Sequence, residues 1–411
     1  MLSEPLGNPL DSTQYTYMTF IFCLFAVFLF AVIILRPRTR NTSKRVTIVV
    51  LGDIGRSPRM QYHAQSLAKL GFQVDFIGYL DSMPLKDIVD CDRIELHDLY
   101  RLGIPDRTIF MPIKLTEIQN PPALPTLIAG YAASRLTNAT FIIDWHNLAY
   151  SILRLKLPAF HPFVIASTYY ERILGRLCDI SFCVTHKMNN FLRQEFGITS
   201  PIYTLHDRPA SQFSPLSVEQ KLIYRKLFKE TQNVEPGTRI LISSTSYTPD
   251  EDFSILLDAL KIYDLNPGCP KVLVLITGKG PLKEYYRNLV SKIPWRKVQI
   301  EMPWLESEDY PRVLACCDLA VCLHTSSSGL DLPMKILDFF GSGIPGSIDS
   351  SIDELIKDGV NGRIFSDAKE LAALELMSDD CKLVQMREDV ISGEKKSWDK
   401  AWTDIAQPIF E

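Results

Sequence analysis

Residues 46–79, VTIVVLGDIGRSPRMQYHAQSLAKLGFQVDFIGY, decide the fold. VTIVVLG (46–52) is a continuous β-branched run and reads as a buried parallel strand. A helical stretch near Gln61–Leu70 follows, and QVDFIGY (73–79) is the next strand. Outward from there the rhythm continues through TFIIDWHN (140–147) and ISFCVTH (180–186), each ending in polar residues. It breaks over 207–237, which carries Pro209, Pro215 and Pro236, and restarts with RILISSTS (239–246) and a helical EDFSILLDALKIYD (251–264). KVLVLITGKG (271–280), a helical LKEYYRNLVSKI (282–293), KVQIEMPWL (297–305), a helical EDYPRVLACC (308–317) and DLAVCLHTSSSG (318–329) complete the second array. Strand–helix alternation predicts two tandem Rossmann-like α/β domains, over 46–206 and 238–385, with ligands beyond the carboxyl ends of the strands. Residues 386–411, with Trp398 and Trp402 four apart, predict one C-terminal helix packing back on the body.

Composition closes off several classes. Of 411 residues, 46% are hydrophobic and 22% charged, which is ordinary globular usage and excludes a disordered or coiled-coil chain. Forty-four basic against forty-eight acidic side chains give a net charge of −4, so an electrostatic nucleic-acid binder is excluded. Nine cysteines without a CxxC spacing read as reduced, buried thiols facing a reducing compartment.

Between Asp11 and Arg36 there is no charged residue, and Met18–Leu35 (MTFIFCLFAVFLFAVIIL) is almost wholly apolar. About 20 such residues span a bilayer's hydrocarbon core. Residues 1–17 hold Glu4 and Asp11 but no Lys or Arg, whereas 36–45 hold Arg36, Arg38, Arg40, Lys44 and Arg45. The positive-inside rule then makes 1–17 a luminal tail, 18–35 a retained transmembrane helix, 36–45 a basic juxtamembrane linker, and the remaining body cytosolic.

Four motifs carry candidate chemistry. Gly52, Gly55, Arg56, Ser57 and Arg59 lie at a strand-to-helix turn where backbone N–H groups and guanidinium groups suit an anion; a tight turn with surface arginines is the plain alternative. The stretch is not GxGxxG, which disfavours a dinucleotide site. Asp144, His146 and Asn147 end a strand, and His beside a carboxylate is the usual general-base composition, against a locally hydrogen-bonded His. Gly278 and Lys279 open a helix after a strand and suit a diphosphate. Ser326, Ser327, Ser328 and Gly329 offer hydroxyl and backbone donors, and Asp331, Lys335 and Asp338 follow on one helix face, against a merely solvated face. Asp250-Glu251-Asp252 has a metal-binding look, but an acidic first helical turn fits it better.

LGDIGRSPRMQYHAQSLAKLGFQV, QNPPALP, IIDWHN, SSTSYTPDEDFSILLDAL, ITGKGPLKEYY, PWLESEDYP and HTSSSGLDLPMKILDFFGSG together resemble the chitobiosyldiphosphodolichol β-mannosyltransferase family over residues 46 to about 365. The resemblance implies a GT-B glycosyltransferase that moves mannose, with inversion, from GDP-mannose to GlcNAc2-diphosphodolichol on the cytosolic face of the endoplasmic reticulum membrane. Other early mannosyltransferases of that pathway are the expected protein partners. The C-terminal half is then the donor domain and the N-terminal half the acceptor domain. Asp144 and His146, with Asp53 behind them, are the candidate bases for the acceptor hydroxyl. No motif requires a metal or other cofactor, although a divalent cation is compatible with a diphosphate. A catalytically impaired scaffold for other mannosyltransferases is the reading from another class, supported by the short stretch 104–118 before Gln119.

Overall fold

The computed structural model describes residues 44–411 except 101–125, 211, 249–250, 307, 324–327, 332, 350–353, 373–378 and 394–397. The predicted membrane span 18–35 and most of the basic linker lie outside the described residues. Within those residues no helix is long and apolar enough to cross a membrane.

Twelve strands form among the described residues: β1 (Arg45–Asp53), β2 (Gln73–Tyr79), β3 (Ile94–Asp98), β4 (Ile142–Trp145), β5 (Ile180–Cys183), β6 (Ile202–Thr204), β7 (Arg239–Thr245), β8 (Val272–Gly278), β9 (Val298–Glu301), β10 (Leu319–Cys322), β11 (Gly346–Asp349) and β12 (Gly362–Phe365). The C-terminal half is one parallel sheet in the order β12-β11-β10-β7-β8-β9. Every residue of β8 is buried, as a near-continuous apolar run between two parallel neighbours should be. The strand order reverses between β7 and β10, so the loops after these two strands diverge and open a crevice. The polar GSID segment (346–349) still forms a strand, with Ser347 and Ile348 both buried.

Among the described residues the strands of the N-terminal half do not pair into a single sheet. Its six strands form two parallel three-stranded sheets, β1-β2-β3 and β4-β5-β6. Among the described residues β1 pairs with β2 alone, and the expectation of a fully buried strand holds there only for its C-terminal part; Val49 is 44% exposed. The edges of β1 and β4 both line one cleft of about 1840 Å³.

The C-terminal segment is not one helix. Asp380–Gly393 packs with the second domain, where Val390 joins Ile336, Phe339 and Ile344. Trp398–Ile405 and Gln407–Phe410 instead return to the first domain, and Trp398, Trp402 and Ala406 share a core with Leu67, Phe76 and Phe182. The 207–237 linker holds a Val218–Leu227 helix with a Ser217/Gln220 capping box. Gly341 lets that linker approach the Met334–Gly341 helix, because a Cβ there would lie 2.5 Å from Pro209 Cβ.

Two contacts join the domains at the N-terminus of the His186–Gln194 helix. The Thr185 hydroxyl, which also caps this helix, donates to Leu330 O at 2.5 Å. Glu354 accepts the backbone N–H groups of His186 and Lys187 at 2.8 and 2.7 Å.

Candidate active site

β4 carries Asp144 to the cleft, and the turn after it carries His146 and Asn147. The Pro58–Lys69 helix packs opposite and supplies Arg59 and His63, and the chain leaving β6 supplies Asp207. Arg59 is buried and clamps both carboxylates. Its Nε and Nη2 donate to the two Asp144 oxygens at 2.7 and 2.9 Å, and Nη1 donates to Asp207 Oδ1 at 2.7 Å and to Leu205 O at 2.9 Å. The sequence reading of Arg59 as an anion contact is therefore replaced by a structural one: most of its fork is spent on the buried Asp207 and the largely buried Asp144.

That clamp separates the candidate bases. Burial pushes the Asp144 carboxyl up, but the Arg59 guanidinium outweighs it and holds the carboxyl well below the usual range. A carboxylate held by a bidentate guanidinium is a poor proton acceptor. His146 is different: its Nε2 lies 3.0 Å from Asp207 Oδ2. Burial alone would lower its pKa, but the Asp207 carboxylate outweighs burial and raises it above the ordinary histidine value. Asp207 itself is held down to about 2, chiefly by Arg59 and His146 against its burial. A ring of raised basicity, oriented by a carboxylate and bordering a cleft, has the composition of a general base.

Asp53 is engaged elsewhere. Its Oδ1 accepts the N–H groups of Gly55 and Ser82, both at 3.1 Å, which ties the β1 turn to the loop after β2. Gly55 is required there, since a Cβ would lie 2.5 Å from Ser82 O. Arg56 donates to Ser82 Oγ at 3.2 Å, and the Ser57 hydroxyl donates back to Asp53 O at 3.0 Å. Arg56 and Ser57 border the cleft, whereas Gly52 and Asp53 do not line it.

Across the cleft stand Tyr310, Met334 and Asp338 of the second domain. Burial, only partly offset by Lys335, lifts the Asp338 carboxyl to about 7. Lys335, one turn earlier, is ion-paired with Glu251, which also accepts from the Thr245 hydroxyl and from Ser246 N–H. Asp331 precedes the Met334–Gly341 helix rather than sharing a face with Asp338 and accepts from the Ser328 hydroxyl at 2.8 Å. Ser326 and Ser327 lie outside the described residues, and Gly329 takes a positive φ of 69°. Lys279 Nζ sits 3.9 Å from the centroid of the Trp304 ring. Gly278 admits the close approach of β7, since a Cβ there would lie 1.8 Å from Thr245 O.

Sequence reasoning missed four participants. Asp207 opens the proline-bearing linker, and His63 sits in the middle of the first helix, where nothing local singles either out. Glu251 was read only as part of an acidic helix start; Asp252 is indeed the N-cap, accepting Ser254 N–H at 2.9 Å, but Glu251 is buried and holds Lys335. Trp402 reaches back across the chain, its indole N–H donating to His63 Nδ1 at 3.0 Å. That bond leaves the ring proton on Nε2, which faces Asp144 Oδ2 at 3.1 Å.

Among the described residues two side-chain groups have metal-ligand composition, His186/His206/Glu354 and Asp75/Glu95/His97. In each, a carboxylate is already engaged: Glu354 caps a helix, and Asp75 receives Arg45 Nε and Nη2 at 2.6 and 2.8 Å.

No protein-family model matches the chain. It is 42% identical over 406 residues to chitobiosyldiphosphodolichol beta-mannosyltransferase of Candida albicans, covering 90% of this chain and 89% of that one. The human protein of the same name is 35% identical, with 91% and 94% covered. Among solved structures, Anabaena Alr3699/HepE in complex with UDP and glucose aligns with a TM-score of 0.62 at 13% identity, over 89% of this chain and 99% of that one. Sucrose-phosphate synthase from Thermosynechococcus elongatus gives 0.60 at 11% identity, over 89% and 96%. These two likenesses speak to the fold, which is that of GT-B glycosyltransferases.

Proposed function

The chain belongs to the chitobiosyldiphosphodolichol β-mannosyltransferase family, and from that membership we propose how its cleft works. It is a dolichol-linked mannosyltransferase. The non-catalytic scaffold is not favoured, because the relatives sharing 35–42% identity over about nine-tenths of the chain carry the name of the enzyme. In our reading GDP-mannose lies against the second domain, near Asp338, Lys335 and the Ser328–Gly329 loop. Chitobiosyl diphosphate carried on dolichol enters from the first domain.

The observation that carries the reading is the His146–Asp207 pair, which borders the same cleft as Asp338. Asp207 orients the His146 ring, and the imidazole takes the proton from the acceptor hydroxyl. The hydroxyl oxygen then attacks the anomeric carbon from the face opposite GDP, the bond to GDP breaks, and the configuration inverts. Diphosphate charge is met by Lys335 and by backbone donors of the loop after β10.

The apolar run 18–35 anchors the chain in this reading, and Arg36–Arg45 keep the body on the cytosolic face of the endoplasmic reticulum. Eight free cysteines among the described residues agree with a reducing compartment.

Purified protein is given radiolabelled GDP-mannose and a synthetic chitobiosyl diphosphate lipid. A product cleaved by β-mannosidase supports the reading; donor binding without product, or a product resistant to that enzyme, contradicts it. Topology has its own test. Asn138-Ala139-Thr140 fits the N-x-[ST] acceptor pattern, and protein made in a eukaryotic cell should show no glycosidase-sensitive mobility shift at Asn138.

A further inference from the structure

Two histidines of the first domain meet a carboxylate of the second where the halves touch. His186 opens the His186–Gln194 helix, His206 follows β6, and Glu354 lies beyond β11. One ligand atom from each of the three side chains lies within 4.8 Å of the other two. His206 Nε2 is 3.2 Å from Glu354 Oε2, and the His186 and His206 rings stand edge to face with centroids 5.2 Å apart. An ion about 2.0–2.1 Å from both Nε2 and Oε2 sees them at roughly 100°, close to the tetrahedral angle.

The backbone bonds of Glu354 are compatible with such an ion. Oε1 accepts Lys187 N–H at 2.7 Å and Oε2 accepts His186 N–H at 2.8 Å. A carboxylate has about four acceptor positions, so these two bonds leave room for a metal. Its charge also offsets the field of the helix N-terminus, which opposes a cation. Burial, with smaller contributions from His186 and Arg208, outweighs Glu354 and lowers the His206 pKa. The ring is thereby kept in the neutral form that a metal requires. Asp75, Glu95 and His97 have a similar composition, but there Arg45 already holds both Asp75 oxygens.

We propose that His186, His206 and Glu354 form a site for one divalent transition-metal ion of the zinc class, bridging the two domains, with water completing its coordination. Two neutral imidazoles and one carboxylate suit Zn2+ rather than Mg2+ or Ca2+, which take oxygen ligands. The His206 ring presents Nε2 to the ion and keeps its one proton on Nδ1, so a hydrogen bond to Glu354 is exchanged for a shared metal. None of the three residues lines the cleft, and the site stands apart from the reading of mannosyl transfer.

The full chain in detergent micelles is freed of metal with EDTA and titrated with Co2+, then with Zn2+. One equivalent of Co2+ should give a d–d absorption band without a thiolate-to-cobalt charge-transfer band, and Zn2+ should abolish it. The charge-transfer band matters because Cys381 is exposed and Cys91 half-buried, which makes sulfur ligands the rival. His186→Ala, His206→Gln and Glu354→Gln should each weaken Co2+ binding about tenfold or more, whereas His97→Ala leaves it unchanged. Zn2+ should raise the melting temperature of the wild type and not of the three variants. His186 is exposed, so His186→Ala decides the outcome even where a Glu354 variant loosens the helix cap. A charge-transfer band, no saturable binding, or binding unaffected by His186→Ala overturns the site. Binding lost in His206→Gln but kept in a folded Glu354→Gln variant overturns the bridge between domains.

Discussion

Trp402 and His63 are 339 residues apart and joined by one hydrogen bond, the indole N–H donating to Nδ1 at 3.0 Å. The consequence travels inward. His63 keeps its proton on Nε2, Nε2 faces Asp144, Arg59 holds Asp144 and Asp207 together, and Asp207 orients His146. The C-terminal helix is thus a buttress for the candidate base.

Trp402→Phe keeps an aromatic ring in the core but removes the donor. A net hydrogen bond of this kind contributes about 0.5–1.5 kcal/mol, so mannosyl transfer should fall about two- to tenfold with little change in donor affinity. Trp402→Ala opens a cavity as well and should cost about 3–5 kcal/mol of stability. Thermal melts beside initial rates check both; a Phe variant indistinguishable from wild type in rate would remove the relay.

Arg59→Met leaves Asp144 and Asp207 buried without their cation. Breaking a buried ion pair in this way costs about 3–5 kcal/mol, so the variant should unfold at a markedly lower denaturant midpoint. Arg59→Lys should not rescue it, because one ammonium cannot serve both carboxylates bidentately. Both carboxyl pKa values are depressed in the folded protein, so their stabilisation is present at neutral pH. It is lost as pH falls below the ordinary carboxylate range towards 2. Acid titration of the wild-type protein should show that loss, and the Arg59→Met variant should show less of it.

The pH profile separates His146 from the carboxylates. A base works only when neutral, and the pKa of His146 is raised above its ordinary value by Asp207. Transfer should therefore climb with pH along an acidic limb lying above about 6.5. Asp207→Asn removes the charge that favours the imidazolium, so the limb should move to lower pH as the rate falls. An unmoved limb would assign it to another group.

Asp338 trades stability for function. Its carboxyl is lifted to about 7 in the folded protein, so folding favours the protonated form. Its effect on stability is most favourable at and below the ordinary carboxylate pKa and weakens as pH rises towards 7. Asp338→Asn should raise the melting temperature by a few degrees at pH 8 and hardly at all at pH 5. Donor affinity should meanwhile drop about 10- to 150-fold, the loss expected for a contact worth about 1.5–3 kcal/mol. Calorimetry with GDP-mannose reads the second effect, and wild-type affinity would move the donor site elsewhere.

What the sequence makes legible is local. QVDFIGY is β2 residue for residue, and β8 fills seven of the ten residues read as a strand from KVLVLITGKG, because buried parallel strands are written in consecutive β-branched and aliphatic residues. The carboxyl end of β4 lies at the candidate site, and Asp144, His146 and Asp338 border one cleft. Illegible were the partners drawn from elsewhere in the chain. Nothing near Arg59 announces that it will be sealed between Asp144 and Asp207, 85 and 148 residues away. A buried arginine and an anion-binding one have the same letter, and only tertiary packing decides between them. The pairing of the described first-domain strands into two groups of three was equally hidden, since strand pairing is not written in the periodicity of either strand.

The central claim is that His146, held by Asp207, takes the proton from the acceptor. It is tested by comparing wild-type and His146→Ala protein under saturating GDP-mannose and chitobiosyl diphosphate lipid, with donor affinity measured alongside. The predicted result is a rate lowered by about 10²–10⁴ with donor affinity preserved. A rate within threefold of wild type would contradict it.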